Sequence, residues 1–206
     1  MKALHGYPDI RRAMVAASLF VVSVLGLAAC GSLLETERPA DVRYWLEPLA
    51  SGGAQPLAPF RLELELSVVP GLDTERVLML DRSARLGALG AARWADSLSE
   101  VLDSVMARSL AVQGARVAAP YGGKDPETCR LELAFREFFA TGSGQPDAVR
   151  VSVSGRLDCP SEGWQLAAQE TRQTTQSADA VVAALQSALD DVTRDISGQI
   201  ARSRQP

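Results

Sequence analysis

Hydrophobic and polar positions change period several times along this chain. Residues 13–29 (AMVAASLFVVSVLGLAA) form an apolar run without a charge. After it, Phe60, Leu62, Leu64, Leu66 and Val68 alternate with Arg61, Glu63, Glu65 and Ser67, the period of two that marks a strand with one wet face. Residues 42–47 and the short apolar run 76–80 are expected to be further strands. From Trp94 the spacing lengthens. Trp94, Leu98, Val101, Leu102, Val105 and Met106 recur at helical intervals, which predicts an amphipathic helix over about 92–112 with Gly114 at its stop. Residues 118–128 read as a loop, and Gly87–Gly90 and Gly122–Asp125 as turns rather than phosphate loops. Near the C-terminus Val182, Leu185, Leu189, Val192, Ile196 and Ile200 predict a second helix over 178–202, with Ser177 as its N-cap. The order of strands, helix, strands, helix predicts an α+β domain: a mainly antiparallel sheet with two long helices packed on one face.

Two of the strands permit a test of register. Residues 129–140 put Cys129, Leu131, Leu133, Phe135 and Phe139 on one parity, and residues 149–159 put Val149, Val151, Val153, Leu157 and Cys159 on one parity. In a hairpin whose paired residue numbers sum to 288, Cys129 lies opposite Cys159, Leu131 opposite Leu157 and Phe135 opposite Val153. The same register sets Arg130 against Asp158 and Glu132 against Arg156 on the outer face, which is favourable across strands. Directly opposed cysteines meet the geometry of a disulfide, so Cys129 and Cys159 are expected to form a structural bridge. A third antiparallel strand is expected to place Trp164, Leu166 and Ala168 against Cys159, Leu157 and Gly155.

Composition narrows the chemistry. The formal charge is −4, with 21 Lys and Arg against 25 Asp and Glu. Lys2, Arg11 and Arg12 precede the apolar run 13–29, as in a secretory leader. Removal of residues 1–29 takes away those three and Asp9, which leaves 18 − 24 = −6. An acidic body of this kind offers no phosphate-tracking surface, and no nucleic-acid partner is expected. The only histidine, His5, lies in the leader. The exported body is then without a Ser-His-Asp triad or a histidine metal site, and no catalytic residues, cofactor or metal are expected. Asp190-Asp191 near Asp195 reads as a solvated helix face, and Glu63 with Glu65 as the wet face of a strand.

The leader ends Leu27-Ala28-Ala29-Cys30-Gly31, which resembles the bacterial lipobox. That resemblance implies cleavage before Cys30, lipidation of its sulfur and acylation (palmitate) of its amine. Several acyl chains anchor a protein where one holds it only marginally. Gly31 in place of an aspartate implies, by the same resemblance, sorting to the outer membrane, facing the periplasm. The expected organisation is a signal peptide over 1–29, a lipidated tether over 30–41, a single domain over 42–202 and a frayed tail over 203–206.

Further residues carry a wider resemblance: Cys30, Tyr44-Trp45-Leu46, Leu64-x-Leu66-x-Val68-x-Pro70, Gly71-Leu72-Asp73, the strand at 76–80 and Trp94-Ala95-Asp96-Ser97-Leu98. With these the chain resembles the ABC-type transport auxiliary lipoprotein family, of the paraquat-inducible protein C type. The resemblance implies a lipid-anchored, non-enzymatic accessory subunit of an ABC-type envelope transporter of lipids or hydrophobic compounds. Its implied partners are an inner-membrane ABC permease and a periplasmic subunit of the mammalian-cell-entry (MCE) type. Homo-oligomerisation stays open. The competing expectation is a periplasmic binding module that holds an apolar ligand between sheet and helices.

Overall fold

The computed structural model describes residues 42–50, 57, 61–118 and 128–203. Cys30, the leader, the tether and Gly122–Asp125 lie outside the described residues. The described residues belong to one compact unit, Ala40–Pro206. Its strands are β1 (Arg43–Tyr44), β2 (Arg61–Val68), β3 (Arg76–Asp81), β4 (Leu86–Trp94), β5 (Arg116–Ala118), β6 (Cys129–Gly142), β7 (Pro146–Asp158) and β8 (Gly163–Gln173). Helix α1 (Leu98–Val112) lies between β4 and β5, and α2 (Ala178–Ser203) ends the chain.

The α+β class holds, but the sheet is mixed rather than mainly antiparallel. β1–β4, β2–β5, β2–β6 and β3–β6 pair in parallel. β3–β4, β6–β7 and β7–β8 pair antiparallel. Strand β6 is the spine. One of its edges carries β7 along its length. The other carries β2 from Leu62↔Cys129 to Val68↔Phe135, and then β3 from Met79↔Ala140 to Asp81↔Gly142. A tight turn between them, closed by Leu72 N–H to the Val69 carbonyl at 2.8 Å, lets consecutive strands follow one another along a single edge. The sheet therefore forks, with β5 beyond β2 and β4 then β1 beyond β3. Alternation in β2 demands one apolar face but not a strand direction, which is why the sequence pattern was compatible with either orientation.

The β6–β7 register sums to 288 from Arg130↔Asp158 to Phe135↔Val153. A bulge at Arg136 then shifts it by one, so that Phe138 pairs with Val151 and joins the inner face, while Phe139 pairs with Arg150 on the outer face. The expected outer-face ion pairs are rearranged. Arg130 reaches Glu63 on β2 at 3.6 Å, and Arg156 turns to Asp158 at 2.5 Å. Strand β8 starts two residues earlier in register than expected: Trp164, Leu166 and Ala168 face Leu157, Gly155 and Val153. The Cys159 N–H to Glu162 carbonyl bond at 2.8 Å tightens the turn and sets this start.

Helix α1 begins at Leu98, not near 92. Ser97 is its N-cap, its Oγ accepting from the Glu100 N–H at 3.4 Å, and Trp94 belongs to β4. Gly87–Gly90 likewise lies within β4 rather than in a turn. At the far end of α1, Gly114 adopts φ +98°, and a Cβ there would sit 2.8 Å from the Leu57 carbonyl oxygen, so only glycine fits this stop.

Both helices lay their apolar stripes on the same face of the sheet. α1 covers β2 and β5, and α2 covers β7 and β8. Val101, Val105 and Met106 from α1 and Leu185, Leu189, Val192 and Ile196 from α2 are buried against Leu62, Leu131, Phe135, Val151 and Leu157. Trp94 meets Phe138 with ring centroids 5.7 Å apart, an arrangement favoured by the quadrupoles of the two rings. Where the helices approach each other, Thr193 Oγ1 donates to the Leu189 carbonyl at 2.7 Å and lies 3.4 Å from Met106 Sδ, so this buried hydroxyl is satisfied.

Candidate functional site

The N-terminal end of the domain is held by polar side chains from both helices. Strand β1 adds two residues in parallel to the end of β4, with Arg93 N–H bonded to the Val42 carbonyl at 3.0 Å and Ala95 N–H to the Tyr44 carbonyl at 2.9 Å. The chain then crosses the helical layer as an extended strap, Tyr44–Leu49. Tyr44 Oη donates to Asp179 Oδ1 of α2 at 2.7 Å. The Gln186 side chain pairs with Glu47 as a neighbouring strand would: Glu47 N–H donates to Gln186 Oε1 at 2.8 Å, and Gln186 Nε2 donates to the Glu47 carbonyl at 3.0 Å. Leu49 N–H donates to Ser109 Oγ of α1 at 2.9 Å. Leu46 and Leu49 are buried, so the strap is stapled to both helices by polar groups and to the core by two leucines three residues apart.

The alternation that sends Leu46 inward turns Trp45 outward. Trp45 is 52% exposed, and the Arg108 guanidinium lies 5.9 Å from its ring centroid. Arg108 Nε donates to the Ser104 carbonyl at 3.1 Å. No spacing rule connects these two residues in sequence; the signal was the Tyr44-Trp45-Leu46 segment alone.

Ionisable groups near the strap are tuned by its packing. Burial, with the hydrogen bond to Asp179 and the charge of Asp179, pushes the Tyr44 phenol up to about 12. Burial is also the leading cause that raises the Asp190 carboxyl, although Gln186 Nε2 donates to it at 2.9 Å. Asp191 is held by Arg172 of β8 and Arg194 of its own helix. The Asp190-Asp191 pair thus serves contacts between helix, strap and sheet. Among the described residues no group of three or more His, Cys, Asp or Glu is placed to hold a metal ion. Glu63 is ion-paired with Arg130. Glu65 lines an open depression of about 290 Å³ on the wet face, together with Glu132, Arg136, Ser154 and Arg156. A second open trough, about 280 Å³, lies beside β1 and β4 and is lined by Val42, Tyr44, Leu89 and Ala178.

The two cysteines singled out by register are joined. Cys129 opens β6, Cys159 follows β7, and the disulfide links them across a Cα–Cα distance of 4.2 Å. It closes the open end of the β6–β7 hairpin, and Cys129 is buried.

Residues 40–197 match the model of the ABC-type transport auxiliary lipoprotein component family, a span that includes the strap, both strands of the disulfide hairpin and most of α2. The chain belongs to this family. Among solved structures, a protein from Xanthomonas campestris is similar over 79% of this chain and 99% of its own, at 20% identity and a TM-score of 0.62. An uncharacterized protein of known structure is similar over 79% of this chain and 97% of its own, at 18% identity and a TM-score of 0.59. Both similarities are of fold. No curated protein sequence matches the chain. As an auxiliary lipoprotein component the chain is associated by family with an ABC-type transport system, and the strap is the element through which its folded body continues toward the N-terminal segment that holds Cys30.

Proposed function

We propose that this auxiliary lipoprotein is a lipid-anchored accessory subunit of an MCE-linked ABC transport system for lipids or hydrophobic compounds, seated at the outer membrane and facing the periplasm. Its partners are the inner-membrane ABC permease and the periplasmic MCE-type subunit. It acts by position and contact, without catalysing a reaction. The observation that carries this reading is the family match over 40–197. The lipobox-like Leu27-Ala28-Ala29-Cys30 supports the anchor, and a disulfide between Cys129 and Cys159 suits an oxidising compartment. The packing supports contact over ligand storage: the apolar faces of sheet and helices are buried against one another, and both depressions described above open to solvent.

Affinity capture of the lipidated protein from membranes in mild detergent tests the partners. Recovery of an ABC permease with its periplasmic subunit is the expected result, and their consistent absence would refute the assignment. Mass spectrometry tests the anchor. A Cys30→Ser variant is expected to lose lipid, and a native protein with an unmodified Cys30 would refute it.

A further inference from the structure

Trp45 is the largest apolar side chain in the group that the described residues leave exposed. Its exposure follows from the strap, which turns the adjacent Leu46 inward. Beside it stands the half-buried Arg108 guanidinium, whose Nη2 is enclosed, and one turn further along α1 Val112 is 46% exposed. The acidic residues of α1, Glu100 and Asp103, lie toward its start, away from Arg108. Only Val42, Arg43 and Tyr44 separate Trp45 from the preceding segment, and eleven residues, 31–41, lie between Cys30 and Val42. That length spans at most about 40 Å when fully extended.

We infer that Trp45, with Arg108 and Val112, is a membrane-resting patch that seats the domain on the phospholipid surface holding its anchor. This rests on the reading of Cys30 as the lipid-bearing residue. An indole prefers the headgroup level of a bilayer, where its ring is sheltered and its N–H remains hydrated. Arg108 is half-buried beside the ring, with its Nε bonded to the Ser104 carbonyl and its Nη2 enclosed, so it holds the indole at the surface and places positive charge beneath it. Two or three side chains are too few for a stable protein–protein interface, which needs about 800 Å² on each side. They suffice for a surface already held close by acyl chains, because the tether makes the second contact intramolecular. The body without its leader carries −6 overall, so anionic lipid repels most of its surface, and the Arg108 charge beneath the ring lessens that repulsion at Trp45.

The test uses the full lipidated chain in vesicles of phosphatidylethanolamine and phosphatidylglycerol, with bromine atoms carried either near the headgroup end or near the tail end of the acyl chains. Trp45 is one of three tryptophans, and Trp94 is buried in the core. Headgroup-proximal bromine is expected to quench about a third of the wild-type emission, and tail-end bromine much less, as for an interfacial indole. Trp45→Phe, a change at an exposed position, should abolish that quenching while lipidation and folding persist. Acylated Cys30 with wild-type and Trp45→Phe emission equally unquenched overturns the patch alone. An unmodified Cys30 overturns the anchoring reading and this proposal with it.

Discussion

Breaking the Cys129–Cys159 bridge gives a sharp test of what holds the domain together. The two residues are separated by 30 positions. Releasing a loop of that length returns about 12 cal/mol/K of chain entropy to the unfolded state, or about 3.6 kcal/mol at 25 °C. The folded state loses little, because eleven cross-strand partners from Arg130↔Asp158 to Thr141↔Ala148 still hold β6 to β7. The cost therefore lies in the unfolded ensemble, whose expansion also has a signature of its own. For a domain of this size each kcal/mol shifts Tm by about 2–4 °C, so a Cys129→Ala/Cys159→Ala double variant should melt roughly 7–14 °C lower. Its urea m-value should rise, because a chain free of the cross-link exposes more surface on unfolding. Circular dichroism of thermal and urea unfolding on both proteins measures the two quantities. A drop in Tm below about 3 °C with an unchanged m-value would refute the loop-closure argument, and would mean that the hairpin register alone brings the cysteines together in the unfolded chain.

Two other perturbations probe separate parts of the structure. A Cβ on Gly155 would lie 2.3 Å from the Glu132 carbonyl oxygen and 2.7 Å from Leu133 Cδ2, so Gly155→Ala should cost about 3 kcal/mol; a denaturation midpoint equal to wild type would show that β6 and β7 can separate there at no cost. Tyr44 is held protonated up to about 12 in the fold, while an unfolded tyrosine ionises near 10. Its contribution is thus complete below pH 10 and lost as pH rises through 12. Wild type should lose stability more steeply than Tyr44→Phe between those limits in urea titrations, and parallel curves would contradict the strap contact.

How much of this was legible in the sequence differs by element, for physical reasons. The β6–β7 hairpin could be read to the residue as far as Phe135, because apolar faces, opposed cysteines and outer charges all select one register. It failed beyond Arg136, because Phe138 and Phe139 are equally apolar and nothing local says which of them turns inward at a bulge. Strand β4 was invisible: Gly87-Ala88-Leu89-Gly90-Ala91-Ala92 has little strand propensity, and its conformation follows from pairing with β3. The start of α1 was misplaced because Trp94 falls by coincidence on the helical period, although Ser97 with Glu100 three residues later has the form of a capping box. The parallel pairing of β2 and β6 depends on the connection that passes through β3, β4, α1 and β5, which a reading of single strands does not capture. In the candidate site, Cys129 and Cys159 could be paired from alternation, whereas Gln186 against Glu47 and Arg108 against Trp45 join residues too distant in sequence for any periodic rule.

The strap also decides how the domain would respond to a mechanical load. A body tethered at its N-terminal side, and gripped elsewhere by a partner, is pulled along the segment that enters at Val42. The tension meets Tyr44 on Asp179, the paired amide of Gln186 and the Ser109 hydroxyl in succession, and these bonds divide it between two helices. The hydrogen bonds of the short edge strand β1 to β4 lie on the same path, so the sheet edge and the two helices share the load. A fold fastened in this way can bear a pull at its N-terminal side while its core stays closed.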